Sequence, residues 1–262
     1  MIDSGAVDSK FRQIQGPASR IFAVGDIHGC RRELELLLEF LISKEKLSDQ
    51  DGLIFIGDYI DRGPDSKGVI DLLLAIKDEI PEVVFLKGNH EDMLLSFLGY
   101  PGNMGEVYLF NGGKEFFASY GLKQHEMNAD ALEALPKAHL SFFLNLESYV
   151  GLENYVFAHA GLDPLRDLAS QLDSDLFWIR DAFIANIHRF EKVVIFGHTP
   201  YHEVMFDLPY KIGIDTGLVY GNKLSCLELV NKEIFQIDYG DKKVKKKSFP
   251  ESILSGMRSP GR

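Results

Sequence analysis

The chain has 262 residues, 45% of them hydrophobic and 26% charged, a composition that can bury one large α/β core or two small ones. Its formal charge of -11 is uneven: residues 241–262 carry five Lys and two Arg against Asp241 and Glu251, and the acidic remainder disfavours stable nucleic-acid binding. With no apolar run near the roughly 18 residues of a spanning helix, no basic or apolar signal in Met1-Ile2-Asp3-Ser4-Gly5, and Cys30 and Cys226 read as reduced thiols, a cytoplasmic protein without membrane attachment is expected.

Residues 1–19 are polar and broken by Gly16-Pro17, and read as a flexible leader. Ile21-Phe22-Ala23-Val24 is a short β-branched and aromatic run, the signature of a buried strand. A helix follows from about Arg31 to Lys44, with Leu34, Leu37, Leu38 and Leu41 on one face. Leu53-Ile54-Phe55-Ile56 is a second strand, and the helix near Lys67 to Lys77 carries Val69, Ile70, Leu73 and Ile76. Val83-Val84-Phe85-Leu86 is a third strand. Asp26 and Asp58 lie 32 residues apart, and Asp58 and Asn89 lie 31 apart, the length of a βαβ unit with parallel strands.

The pattern changes over residues 91–154. Met93-Leu94-Leu95, Phe116-Phe117, Ala131-Leu132 and Leu135 imply helices, broken at Pro101-Gly102, Gly112-Gly113 and Gly121. This reads as a helical insert over the strand-end rim, where lids commonly set substrate choice. Sheet character returns at Tyr155–Ala158 and Val193–Phe196, and Lys211–Ile214, Leu224–Val230 and Glu233–Asp238 read as antiparallel strands. The lysines of 242–247 read as part of a solvated basic tail, 241–262.

Five Gly-bounded blocks follow the apolar runs: Gly25-Asp26-Ile27-His28-Gly29, Gly57-Asp58-Tyr59-Ile60-Asp61-Arg62-Gly63, Gly88-Asn89-His90-Glu91, His159-Ala160-Gly161 and Gly197-His198-Thr199. Each alone reads as a turn or a helix cap. Together they bring Asp, Asn and His, ligands of divalent metals, to the carboxyl ends of strands, where α/β sheets place their sites. Asp26, His28 and Asp58 form one ligand set; Asp58, Asn89, His159 and His198 form a second, with Asp58 bridging. Two metals so held clamp an in-line displacement and ionise a shared water, and a mixed N/O set suits Mn, Fe or Zn better than Ca or Mg. Arg62 is a natural phosphate clamp, with Arg180 as a second. His90 is placed to protonate the departing oxygen, with Asp61 fixing its tautomer. His125, His139, His188 and His202 lack this context and read as structural.

The blocks resemble those of the phosphoprotein phosphatase branch of the calcineurin-like metallophosphoesterases, whose pattern is GDxHG, GDxxDRG, GNHE, HAG and GHT. The resemblance covers residues 20–240 and implies an α/β fold: a β-sandwich flanked by helices, with a helical insert over the active site. It implies that Asp26, His28, Asp58, Asn89, His159 and His198 are metal ligands for two divalent ions, Mn ahead of Fe or Zn. Asp61 and His90 match the catalytic acid pair, while Arg62, Arg180 and Asn89 match phosphate-binding positions. Lys87 stands where many relatives have Arg. Ile214-Asp215-Thr216-Gly217 and Val219-Tyr220-Gly221 resemble a late block of bacterial members that would put Tyr220 near the site.

The same resemblance implies a binuclear phosphatase of phosphoserine and phosphothreonine proteins, acting through a metal-bridging hydroxide. His28 and Asp61 favour this side, because the symmetrical tetraphosphatases typically have Gln and Ala at those places. Asn111-Gly112-Gly113 and Ser119-Tyr120-Gly121 look like insert motifs of nucleotide-cleaving relatives, so a hydrolase of dinucleoside polyphosphates or capped RNA is the alternative. A non-catalytic phosphate-binding scaffold is a remote third, since binding alone needs neither His90 nor Asp61.

Overall fold

The computed structural model describes residues 11–14, 19–80 and 82–253. A two-residue strand, β1 (Arg12–Gln13), precedes β2 (Ile21–Val24). The chain then passes through α1 (Arg31–Ser43), β3 (Gly52–Phe55), α2 (Ser66–Glu79) and β4 (Val83–Phe85). β2, β3 and β4 pair in parallel, with Ile21 opposite Gly52 and Leu53 opposite Val83. The leucine stripe of α1 and the Val69, Ile70, Leu73, Ile76 stripe of α2 are buried as their spacing requires. Asp65 caps α2 by accepting the Gly68 N–H at 2.8 Å.

From β4 the chain enters α3 (Asn89–Phe97), a 3-10 segment at Gly105–Asn111, α4 (Gly113–Ser119), two more 3-10 turns, and α5 (Lys137–Leu144). It returns in β5 (Tyr149–Leu152), antiparallel to β6 (Tyr155–Ala158). The insert is therefore shorter than 91–154. Lys87 donates its N–H to Glu147 O at 2.8 Å and Glu147 donates to Phe85 O at 2.9 Å, which closes the segment before β5 begins. Four residues, Tyr149-Val150-Gly151-Leu152, are too few to show a strand period beside helical sequence.

Beyond β6 come α6 (Asp173–Trp178), α7 (Asp181–Ile184), β7 (Val193–Phe196), β8 (Met205–Asp207) and β9 (Lys211–Gly213). The last three strands are β10 (Lys223–Glu228), β11 (Glu233–Asp238) and β12 (Lys245–Ser248). One six-stranded sheet runs β1-β5-β6-β7-β9-β8 and the other β12-β11-β10-β2-β3-β4. β9, expected to be antiparallel, is so only toward β8; it pairs in parallel with β7.

Alternation along the strands builds the layers. Phe22, Val24, Leu53 and Phe55 face the helices α1 and α2. Ile21, Ala23, Ile54 and Val84 face the other sheet and meet Val150, Phe157, Ile195 and Ile212 there. Val156, Ala158, Val194 and Phe196 turn outward onto Leu176, Phe177 and Phe183 of α6 and α7. The result is a sandwich of two mixed sheets between helical layers.

The sheets reach further than the flexible-leader and solvated-tail readings allow. Arg12 lies opposite Val150 in parallel pairing and its guanidinium meets Glu147 at 2.7 Å. Lys245–Ser248 pairs with β11, and Lys246 meets Glu45 at 2.8 Å and Glu233 at 3.0 Å, with Lys247 3.1 Å from Glu203. The lysine run is thus a charged edge strand, which blunts further strand pairing. The remainder of the expected leader (1–10, 15–18) and of the tail (254–262) lies outside the described residues. No helix among the described residues is long and apolar enough to cross a membrane.

Candidate metal centre

All five blocks begin where a strand ends: Asp26 and His28 after β2, Asp58 after β3, Asn89 and His90 at the start of α3, His159 after β6 and His198 after β7. The first three strands belong to one sheet and the last two to the other, so the site straddles the seam between the sheets. His28, Asp58, Asp61, Arg62 and His198 have φ between 46° and 73°. Non-glycine residues there carry strain that the surroundings must over-determine, a recurring property of functional sites.

The holding contacts are specific. Ile27 and His28 donate their N–H groups to Asp58 O at 3.1 and 2.9 Å. The Glu91 carboxylate accepts from the N–H groups of Asp58, Tyr59 and Gly88 at 3.0, 2.8 and 2.9 Å. Arg62 N–H donates to Gly112 O at 3.2 Å, and His198 N–H to Asp26 Oδ2 at 3.0 Å. Gly88 and Gly197 leave room for carboxylates: a Cβ on Gly88 would stand 2.2 Å from Asp58 Oδ1, and one on Gly197 would stand 2.1 Å from Asp26 Oδ1.

Side-chain donor atoms gather in two groups that share one residue. His28, Asp58 and His90 form the first and Asp58, His159 and His198 the second, each with its atoms within 4.8 Å of one another. Asp58 Oδ2 lies 3.4 Å from His28 Nε2, and Asp58 Oδ1 lies 3.4 Å from His159 Nε2. Asn89 Oδ1 is 3.1 Å from His159 Nε2 and 2.8 Å from His198 Nδ1. Asp26 stands outside both groups, but its Oδ1, like His198 Nε2, is buried with no hydrogen-bond partner among the described residues. His90 enters the first group although its Nδ1 is committed to Asp61 Oδ2 at 2.6 Å.

This donor set fits a pair of divalent cations. His28 Nδ1–H donates to Ile60 O at 2.8 Å and His159 Nδ1–H to Ile56 O at 2.9 Å, which turns both Nε2 atoms toward Asp58. Backbone partners of this kind orient metal-ligating imidazoles. Burial keeps His28 and His159 below their usual range, and burial with the neighbouring His159 brings His198 down to about 2. Neutral imidazole is the form that binds metal. Burial alone would raise the Asp58 carboxyl, but His159, His90, His28 and His198 together hold it well below the carboxylate range. Asp26 and Glu91 are the reverse: burial and the charges of Asp215 and Asp58 push Asp26 well up, while burial and Asp58 bring Glu91 to about 8. A cation at this seam offsets that crowding of buried carboxylates.

The expected phosphate-binding arginines reach the same rim. Arg62 Nη1 donates to His28 Nε2 at 2.8 Å, and its guanidinium lies over the Tyr220 ring, 5.6 Å from the centroid. Arg180 Nη1 is 3.4 Å from Thr199 Oγ1, one residue past His198. Three residues with no role assigned from the sequence also stand here. Glu91 braces the Asp58 turn, and Asp215 is buried beside Asp26 and raised to about 6, by burial first. Tyr108 donates its hydroxyl to Asp61 Oδ1 at 2.7 Å. Glu91 and Asp215 lie inside motifs visible in the sequence; Tyr108 gives no local signal, being one aromatic in an apolar run. His125, His139, His188 and His202 belong to neither donor group.

Two strand-end donor groups joined by one carboxylate, flanked by a His–Asp pair and arginines, define a metal-dependent phosphoric ester hydrolase. Comparison with known proteins narrows the class. Residues 19–234 match the family model for calcineurin-like phosphoesterases, and the chain belongs to that family, which uses a binuclear divalent metal centre. The asymmetrical bis(5'-nucleosyl)-tetraphosphatase PrpE of Oceanobacillus iheyensis is 29% identical over 241 residues, covering 83% of this chain and 92% of that one. Serine/threonine-protein phosphatase 1 of Salmonella typhimurium is 32% identical over 214 residues, covering 80% and 91%. The crystal structure of a proposed diadenosine tetraphosphatase superposes with a TM-score of 0.68 at 24% identity, over 89% of this chain and 99% of that one, a likeness of fold.

Proposed function

We propose that the protein hydrolyses phosphate monoesters, with phosphoserine and phosphothreonine proteins as its substrates. The observation that carries this reading is the buried His90–Asp61 pair, 2.6 Å apart, at the edge of the first donor group. A phosphomonoester has a poor alkoxide leaving group, and a positioned acid is what such a group requires. Asp26, His28 and Asp58 would hold one cation and Asp58, Asn89, His159 and His198 the other; the mixed N/O set suits Mn, Fe or Zn better than Ca or Mg, and the family resemblance puts Mn first. When bound, the pair polarises the phosphoryl oxygens and supplies an activated water. Arg62, Arg180 and the Asn89 amide orient the phosphoryl group. His90 Nε2 delivers a proton to the departing oxygen, with Asp61 holding Nδ1. Buried, unpaired Cys30 and Cys226 support a cytoplasmic setting.

A second reading, hydrolysis of dinucleoside polyphosphates, draws support from two exposed aromatics. Tyr220 is 63% exposed beside Arg62, and Phe110 is 84% exposed two residues before Gly112, the insert residue that touches Arg62. Both offer faces to a nucleobase. The deciding experiment offers Mn-loaded protein a phosphoserine peptide, p-nitrophenyl phosphate and diadenosine tetraphosphate. Phosphate released from the first two is the expected result. Failure on both discards the monoesterase reading, and ADP, ATP or AMP release installs the second. His90→Asn retains its metal while turnover falls by roughly 10²–10⁴.

A further inference from the structure

We propose that Tyr108, supplied by the insert, is a positioning residue for proton delivery: it fixes Asp61, which in turn fixes His90. The proposal rests on the reading of His90 as the acid that protonates the leaving oxygen.

The three side chains form one line. Tyr108 Oη donates to Asp61 Oδ1 at 2.7 Å, and His90 Nδ1 donates to Asp61 Oδ2 at 2.6 Å. Tyr108 and Asp61 are 0% exposed and His90 is 1% exposed, so solvent does not replace either bond. With only His90 attached, the carboxylate is free to turn about Cβ–Cγ and carry the imidazole with it. A second charge-assisted hydrogen bond on the opposite oxygen removes that freedom.

Tyr108 is itself held. Its ring meets Phe97, Phe116 and Phe117 with centroids 5.5, 6.4 to Phe116 and 6.0 Å to Phe117. Gly113 lets it in: a Cβ there would fall 2.5 Å from Tyr108 Cε1. The insert therefore touches the second block twice, by the Tyr108 hydroxyl on Asp61 and by Gly112 O on the Arg62 N–H. One segment orients the phosphate clamp and the acid pair together.

In the step served, a water oxygen forms a new bond to phosphorus and gives up a proton to solvent, while the P–O bond to the leaving group breaks and its electron pair stays on the departing oxygen. The Nε2 proton of His90 moves to that oxygen. The Nδ1 proton stays between His90 and Asp61, Tyr108 keeps its own, and solvent returns a proton to Nε2. Nothing is oxidised or reduced.

Leaving groups separate positioning from mere packing. p-Nitrophenolate departs near neutral pH with little need of a proton, whereas phenolate needs one. Wild type, Tyr108→Phe and His90→Asn, each loaded with Mn, are compared on p-nitrophenyl phosphate and phenyl phosphate. The expected Tyr108→Phe result is a kcat on phenyl phosphate lower by about tenfold, with KM unchanged and p-nitrophenyl phosphate turnover within about threefold of wild type. His90→Asn should show the same split, larger. In Zn-loaded, diamagnetic protein the ¹⁵N signals of His90 should move in Tyr108→Phe while those of His188, outside both donor groups, stay put, and elemental analysis should find unchanged metal. Equal losses on both esters, or no loss on either, overturn the proposal if His90→Asn still shows the split. Absence of the split in His90→Asn overturns the acid reading itself, and the proposal falls with it.

Discussion

Glu91 Oε2 accepts the backbone N–H of Asp58 at 3.0 Å, although the two residues are 33 apart in sequence. The same carboxylate takes the N–H groups of Tyr59 and Gly88, so a side chain in the first turn of α3 fixes the loop after β3. Glu91→Gln leaves one acceptor oxygen for three donors and turns an NH₂ toward at least one of them. A buried N–H left without its acceptor costs about 1–3 kcal/mol. Urea unfolding should therefore show a stability loss of about 2–3 kcal/mol; a change within about 0.5 kcal/mol, the range of an ordinary surface substitution, would show that the brace is dispensable.

Asp58 is the residue common to both donor groups, with one oxygen toward His28 and the other toward His159. Asp58→Asn keeps the shape but offers one carbonyl oxygen where two anionic oxygens stood. Elemental analysis after Mn loading and desalting should show at least one metal equivalent lost per chain. Full retention of both would remove Asp58 from the bridging position.

Gly112 has φ of 105°, and a Cβ there would stand 2.6 Å from Arg62 Cγ and 2.8 Å from Arg62 N. The backbone nitrogen cannot yield cheaply, so Gly112→Ala must lift the insert off Arg62. A side chain forced into this conformation costs of order 1–3 kcal/mol. The expected outcome is a lower melting temperature and a raised KM for phosphate esters with metal content unchanged. An unaltered KM would show that the Gly112–Arg62 contact does not position Arg62 for phosphate binding.

His188 gives a pH dependence away from the metal centre. Its Nε2–H donates to Tyr210 O at 2.7 Å and its Nδ1 accepts the Phe190 N–H, an arrangement that uses the neutral ring on both sides. Burial, assisted by the charge of Lys211 against Asp207, lowers its pKa below the usual histidine value. The unfolded chain then binds the proton more readily. The stabilising contribution is complete above about pH 6.5 and declines as pH falls below it. Urea midpoints measured from pH 7.5 down to 5 should drop more steeply for wild type than for His188→Gln, whose amide can still donate to Tyr210 O. Parallel curves would discard the assignment.

Much of the frame was legible because its signals are local. The leucine stripe of α1, the apolar run of β2 and the repeat that brings Asp26, Asp58 and Asn89 to one rim need no knowledge of distant partners. Among the described residues, the edge strand β4 shows as an apolar run, but the other three edge strands were not legible. β1, β8 and β12 have two, three and four residues, too few to show a period, and the lysines of β12 look like tail until Glu45, Glu203 and Glu233 are seen facing them. Direction failed at β9 for the same reason, since a strand's composition does not reveal which neighbour it will accept. At the site, the blocks nominated the donors, but Tyr108 and its bond to Asp61 span 47 residues and arise only from tertiary packing.

The insert leaves and rejoins the frame at one place, where Lys87 and Phe85 bond to Glu147 on either side of the Leu86–Glu147 bridge. A segment stitched together at its two ends behaves as an exchangeable cassette. It can grow, shrink or change sequence at a closure cost that rises only slowly with length, while neither sheet changes register. The limit is a single hydroxyl: a replacement cassette keeps the bond that Tyr108 makes to Asp61 only by bringing its own donor there.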